Sequence, residues 1–155
     1  MSRVDLIRLG GTGDAEVIGR LLHDFNREFD EPTPSAGFFA RRISELIAED
    51  GVTVLLARDG PDGFVVLRFR PSLYSQALEC YVAELYVVPG RRGHGLGRAL
   101  MEAAIEHARS RGADHMDLNT SEGDVAARAL YESLGFTRLE GRADGPVMYY
   151  YEREL

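Results

Sequence analysis

Lysine is absent from the 155 residues, and all 18 basic residues are arginine. Arginine offers anions a planar, bidentate fork, but a whole chain without lysine reads first as the product of a GC-rich, bacterial genome. Cysteine occurs once, as Cys80, so neither an intramolecular disulfide nor a thiolate metal cluster can form. No apolar run reaches the ~18–20 residues that a membrane helix requires. Residues 1–10 carry Arg3, Asp5 and Arg8 where a secretory signal would be apolar. Basic charge is also in deficit, with 25 acidic residues and a net charge of −7. Non-specific nucleic-acid binding needs many phosphates neutralised and is disfavoured by that balance, whereas a cationic substrate is compatible with it. The absences point to a cytoplasmic enzyme or binding module with no nucleic-acid or membrane partner.

What is present suits one domain over residues 1–155, with no repeat, low-complexity tract or linker. Strands are expected at residues 4–9, 52–57, 64–69, 78–88, 115–119, 136–140 and 147–152, from β-branched and apolar runs between turn residues. Helices are expected at 14–29, with Thr12 as cap, and at 36–48, 96–110 and 124–134, the last stopped by Gly135. The order β-α-α-β-β-β-α-β-α-β-β describes an α/β (α+β) domain: one mixed, mostly antiparallel sheet with helices on both faces.

The most informative stretch joins an expected strand to an expected helix through Pro89-Gly90-Arg91-Arg92-Gly93-His94-Gly95-Leu96-Gly97-Arg98. Glycines admit a ligand close to the main chain, and a helix start presents unpaired N–H groups with a positive dipole end. Three arginines stand at the same place, so the segment reads as a phosphate cradle within an acidic chain. A Gly-rich turn with solvated arginines is the plainer alternative. It is not a Walker loop, because no Gly-Lys-Ser/Thr follows. The dinucleotide fingerprint also fails, because Arg98 stands where its third glycine belongs and only one strand-helix-strand crossover surrounds the loop.

Arg92-Gly93-His94-Gly95-Leu96-Gly97 resembles the Arg/Gln-x-x-Gly-x-Gly/Ala diphosphate-binding motif of the GNAT acetyltransferase superfamily. Glu84-Leu85-Tyr86-Val87-Val88-Pro89 is similar to the strand leading into that loop. Ala127-Arg128-Ala129-Leu130-Tyr131-Glu132-Ser133-Leu134-Gly135-Phe136 resembles the family's Ala-Arg-x-Leu-Tyr-x-x-x-Gly-Phe segment. Together these motifs cover residues 80–140.

The resemblance implies acetyl-coenzyme A as cofactor and direct N-acetyl transfer to a small-molecule or protein amine. It implies that main-chain N–H groups of Gly93, His94, Gly95, Leu96, Gly97 and Arg98 hold the diphosphate, while Arg92 packs and bonds the loop or the phosphates. In similar enzymes the incoming strand is bulged and splays from its neighbour, and the pantetheine arm bonds to main chain near Leu85, Tyr86 and Val87. Glu84 falls where several relatives carry an acidic residue and is expected to act as general base through water; a solvent-facing or salt-bridged glutamate is the alternative. On spacing alone, Tyr131 belongs to an apolar helix face with Ala127, Leu130 and Leu134. The resemblance instead places it beside the thioester sulfur as general acid. The family usually has Asn where Asp124 stands; a helix cap survives that change, but the amide donor is lost, and Asn119 or Thr120 could replace it.

Cys80 lacks a histidine partner, and His23, His107 and His115 lack ligand spacing, so no metal is expected. Phe25, Phe29, Phe38, Phe39 and Tyr74 are expected to include core residues. A homodimer is compatible with the sequence. A non-catalytic acyl-coenzyme A sensor on the same fold is the competing functional class.

Overall fold

Ser35 explains why a helix begins where it does: its Oγ accepts the Phe38 N–H at 3.1 Å, satisfying an otherwise orphaned donor. In the computed structural model, which describes residues 6–155, the chain forms two compact units, one ending at Met116 and the other spanning Asp117–Leu155. Strand β1 (Ile7–Leu9) leads to helices α1 (Ala15–Glu28) and α2 (Ala36–Ala48). Strands β2 (Thr53–Ala57), β3 (Gly63–Pro71) and β4 (Leu78–Val87) follow, then α3 (Leu96–Ser110), β5 (Ala113–Asp117) and α4 (Val125–Ser133). Among the described residues, no helix is long and apolar enough to cross a membrane.

The sheet order is β1-β2-β3-β4-β5. The first three pairings are antiparallel, with Leu9 opposite Leu55, Leu56 opposite Phe64, and Phe64 opposite Tyr86. β5 is reached through the α3 crossover, the connection a parallel neighbour requires, which makes the sheet mixed. One face holds Val54, Leu56, Phe64, Val66 and Tyr86 against Ile18 and Leu21 of α1 and Ile43 of α2. Each such buried aliphatic or aromatic side chain contributes roughly 1.5–3 kcal/mol. The other face receives α3 through Leu96, Ala99, Leu100, Met101, Ala104 and Ala108. A Cβ built on Gly63 would lie 3.5 Å from Leu100, which fixes the side of the sheet that α3 covers. The fold is therefore the α/β sheet with helices on both faces that the sequence led us to expect.

The helices start and stop within a residue or two of their expected bounds, whereas several strands differ. Val4 and Asp5 of the expected first strand lie outside the described residues. Thr12 does not cap α1. It opens a short 3₁₀ turn, Thr12–Asp14, in which the Asp14 carboxylate accepts the Gly11 N–H at 2.9 Å. Arg8 grips the same carboxylate at 2.9 and 3.1 Å, and that bond holds the Asp14 pKa down at about 2. The strand expected at 115–119 begins two residues earlier, because Gly112 at φ +82° reverses the chain at once.

The strands expected at 136–140 and 147–152 are reduced to one antiparallel bridge, Leu139 with Val147, flanked by Glu140 N–H to Pro146 O at 2.8 Å and Met148 N–H to Arg138 O at 2.7 Å. Pro146 has no N–H for a ladder, and residues 148–151 do not alternate apolar with polar, so no face of a strand is specified. Within this second unit, the Tyr131 and Phe136 rings meet edge to face at 6.0 Å.

Candidate functional site

A register shift in β4 sets the geometry of the first unit. Val66 pairs with Glu84, whereas the next residue of β3, Leu67, pairs with Val82, so Ala83 is an extra, unpaired residue. Such a bulge turns the side chains beyond it to the opposite face. Glu84 thereby shares the α1/α2 face with Val66 and Tyr86 instead of the face of Val82. Its side chain is open to water, yet enough protein crowds the carboxyl that burial pushes its pKa above the ordinary glutamate value. No basic side chain contributes to that shift.

β4 has ten residues and β5 five. With Leu78 N–H bonded to Gly112 O at 3.4 Å, the two strands start side by side, and the second half of β4 outruns its neighbour. Leu85, Tyr86 and Val87 occupy that half. Beyond it, Pro89–Arg91 forms a 3₁₀ turn, and Gly93 and Gly95 both take φ +82°. Gly95, the N-cap of α3, has no side chain with which to bond the helix start, and the first helical bond runs from Ala99 N–H to Gly95 O at 3.0 Å. The N–H groups of Leu96, Gly97 and Arg98 therefore point outward from the first turn. A Cβ on Gly93 would meet nothing within 4 Å, so the approach to the loop is open. His94 is exposed in the same turn.

The three arginines of the loop meet carboxylates. Arg91 lies 3.3 Å from Asp62, which Arg58 also binds at 3.1 Å. Arg98 lies 3.9 Å from Glu102, one helical turn on. Arg92 donates through Nε to Val87 O at 2.9 Å and through Nη2 to Glu28 at 2.8 and 2.9 Å. Arg92 thus ties the loop to the main chain at the end of β4 and to α1. Glu28, missed in the sequence, also accepts from the Tyr86 hydroxyl at 2.9 Å. Burial first, and that carboxylate second, push the Tyr86 phenol up to about 12. Nothing in the sequence marks a contact spanning 58 positions.

Asn119, Asp124 and Tyr131 belong to the second unit. Asn119 is exposed, two residues past the end of β5. Asp124 caps α4, its Oδ1 accepting the Ala127 N–H at 3.1 Å. The cap role expected of it is present, and a carboxylate there also suits the positive end of the helix. Tyr131 is partly buried; that burial and the nearby Asp124 charge push its phenol up to about 12. Cys80 is fully buried and forms no disulfide. Of the five aromatics expected to supply core residues, Phe25 does so, packing edge-on to Tyr86 at 4.8 Å, whereas Phe29, Phe38 and Tyr74 are exposed. Where α1 ends, an open hollow of ≈ 440 Å³ is lined by Arg27, Asp30, Glu31 and Pro32.

The profile of the Acetyltransferase (GNAT) family matches residues 18–136. The mycothiol acetyltransferase of Thermobispora bispora is 38% identical over 122 residues, which are 76% of this chain and 36% of that protein. The chain thus spans about a third of the length of the mycothiol acetyltransferases it matches. The streptothricin acetyltransferase of Streptomyces lavendulae is 34% identical over 80% of this chain and 77% of its own length. Among solved structures, an Arthrobacter sp. FB24 protein provisionally assigned as an acetyltransferase superposes over 100% of this chain and 99% of its own, with a TM-score of 0.90 and 42% identity.

Proposed function

The chain belongs to the GNAT acetyltransferase family, and from that premise we propose that it moves an acetyl group from acetyl-coenzyme A directly to a primary amine. The observation that carries this reading is the bulge at Ala83 followed, just past the end of the same strand, by the glycine loop that opens α3. One turns a carboxylate toward the α1/α2 side. The other aims main-chain donors where an anion can approach.

Acetyl-coenzyme A supplies a diphosphate to be held and a thioester carbon that an amine can attack. The N–H groups of residues 96–98 and the open glycine turn suit the diphosphate. The main chain of Leu85, Tyr86 and Val87 suits the pantetheine arm, since this half of β4 outruns β5. Arg92, bonded to Val87 and Glu28, holds the loop's shape.

An alkylammonium must lose a proton before it can attack. Glu84, whose pKa burial raises from its ordinary value, accepts that proton, directly or through water. Tyr131 keeps its proton at neutral pH, with a phenol pushed to about 12. It therefore serves as a hydrogen-bond donor to a departing thiolate, because even a cysteine-type thiol, at ~8.5, is far the stronger acid. Asp124 has no donor to offer the pantetheine arm. Direct transfer is favoured because Cys80, the sole thiol, is sealed inside the core and cannot carry an acyl group. A cationic acceptor suits the net charge of −7 and the Asp30 and Glu31 side chains at the end of α1.

The test is a panel of polyamines, aminoglycosides, amino-acid derivatives and peptides, read by release of free thiol and by mass of the product. Thiol release matched by an acetylated amine supports the reading. Coenzyme A binding without turnover on any member would favour the sensor alternative.

A further inference from the structure

Glu28, the last residue of α1, closes a ring of contacts around the entrance to the glycine loop. Its Oε1 accepts from the Tyr86 hydroxyl and from Arg92 Nη2, each at 2.9 Å, and its Oε2 lies 2.8 Å from the same nitrogen. Arg92 in turn donates Nε to Val87 O at 2.9 Å, and its guanidinium lies 5.6 Å from the centre of the Tyr86 ring. Tyr86 and Val87 are neighbours in the chain, so the contacts return to their starting point. Tyr86 is only 4% exposed and packs on Phe25, which anchors the ring in the core.

An isolated ion pair as open as Glu28 with Arg92 would contribute at most ~1 kcal/mol. Here one carboxylate fixes two donors whose main chains lead into the loop. Beyond them lie two glycines in the left-handed region, where alternative conformations are cheap for the free chain. A loop of that kind binds an anion tightly only if it is held in shape beforehand.

We propose that Glu28 is a positioning residue for the phosphate loop: through Arg92 and Tyr86 it sets the loop's shape, and so couples the C-terminal end of α1 to cofactor affinity. This rests on the acetyl-coenzyme A reading above. Glu28 does not touch the cofactor in this account; it acts through Arg92.

The experiment is calorimetric titration of coenzyme A into wild type, Glu28→Ala, Glu28→Gln, Arg92→Ala and the Glu28→Ala/Arg92→Ala double variant, with kcat measured at saturating acetyl-coenzyme A. Glu28→Ala should weaken coenzyme A by about 10-fold, the scale of one charged hydrogen bond. Its kcat should stay within about two-fold, as expected when binding and not the chemical step is affected. Glu28→Gln, which keeps an acceptor for Tyr86, should lose less. The double variant should bind no worse than Arg92→Ala, because both changes cut the same ring. Wild-type affinity in Glu28→Ala, or losses that simply add in the double variant, would overturn the proposal. Should Glu28→Ala fail to fold, the isosteric Glu28→Gln decides alone, since unchanged affinity overturns the idea and a several-fold loss supports it. If wild type itself does not bind coenzyme A, the acetyltransferase reading falls and this inference falls with it. If wild type binds and the Glu28 variants are indifferent, only the inference is lost.

Discussion

Glu84 stands opposite Val66 across the β3–β4 ladder, while Val82, two residues earlier on β4, stands opposite the adjacent Leu67. In a regular ladder Val82 and Glu84 would share a face, and the carboxylate would point toward α3. The bulge at Ala83 moves it to the side of α1 and α2 and leaves it crowded without a cationic partner. Crowding without a cation disfavours the charged form, which is the direction of shift that suits a general base.

Replacing Glu84 with Gln tests both halves of that statement. If the carboxylate is the base, the maximal rate should fall most at neutral pH and recover partly at high pH, where free amine is abundant; a rise in KM alone would mark an electrostatic anchor instead. Stability should move the other way. The folded carboxyl binds its proton more tightly than the unfolded value of 4.5 implies. Its stabilising contribution is therefore full below that value and is lost as pH rises through the folded pKa. Glu84→Gln should melt above wild type at neutral pH, and the two curves should converge near pH 3–4. Identical kinetics at every pH would show Glu84 to be structural.

The cradle can be tested by contrast. At φ +82°, Gly95 adopts a conformation that costs an L-residue ~1–2 kcal/mol, more for a β-branched one. A valine there also places methyl groups where a phosphate would sit. Gly95→Val should weaken coenzyme A by about 10-fold or more. Arg98→Ala removes a single charge near the helix start, an effect of ~0.3–1 kcal/mol, and should cost no more than about five-fold. Coenzyme A should raise the melting temperature of wild type, whereas NAD should not. The reverse ranking of the two variants would place the anion on side chains and not on the main chain.

These contrasts follow from what local sequence does and does not encode. The glycine loop was legible because its glycines, its arginines and a helix start fall within ten consecutive residues, and the physics of a helix N-terminus is local. The α2 bounds were legible from the helix-breaking run at residues 30–35 before it and from Gly51 after it. The bulge was implied by resemblance alone; that Ala83 is the extra residue depends on the register against β3, which no local pattern states. Glu28 was invisible because its partners lie 58 and 64 positions away. The C-terminal strands were over-read: an aromatic run at 149–151 has strand propensity, but propensity without alternation selects no face.

Tyr131 carries a sharper expectation about its proton. A phenol at about 12 is a poorer acid than an ordinary thiol, so outright transfer to a thiolate is uphill and hydrogen-bond donation is the available role. Tyr131→Phe should therefore lower turnover by about 10-fold, with coenzyme A affinity little changed, as when one donor that acts only in the transition state is removed. The turnover of wild type should show no fall from loss of this proton up to about pH 10. Donors that leave as more acidic thiols should be less sensitive to the substitution. Unchanged turnover would leave the hydroxyl a packing detail beside Phe136.

Two helix glycines give opposite expectations for the same substitution. A Cβ on Gly19 of α1 would sit 2.7 Å from Ala36 O and Ala40 N and 3.0 Å from Ala40 Cα, all main-chain atoms of α2. No rotamer change relieves such a contact, so the two helices must separate. Overpacking of that kind costs ~1–3 kcal/mol. Gly37, near the start of α2, has no atom closer to its built Cβ than the tip of Arg41 at 3.6 Å. There alanine removes the backbone entropy of glycine without a clash, worth up to about 1 kcal/mol in a helix. Gly19→Ala should therefore lower the melting temperature by several degrees while Gly37→Ala leaves it level or raises it. Because α1 and α2 cover the face of the sheet that carries Glu84, the Gly19 variant should also raise the acceptor KM more than it weakens coenzyme A. If both variants melt together, α1 and α2 are not in the close main-chain contact that Gly19 implies.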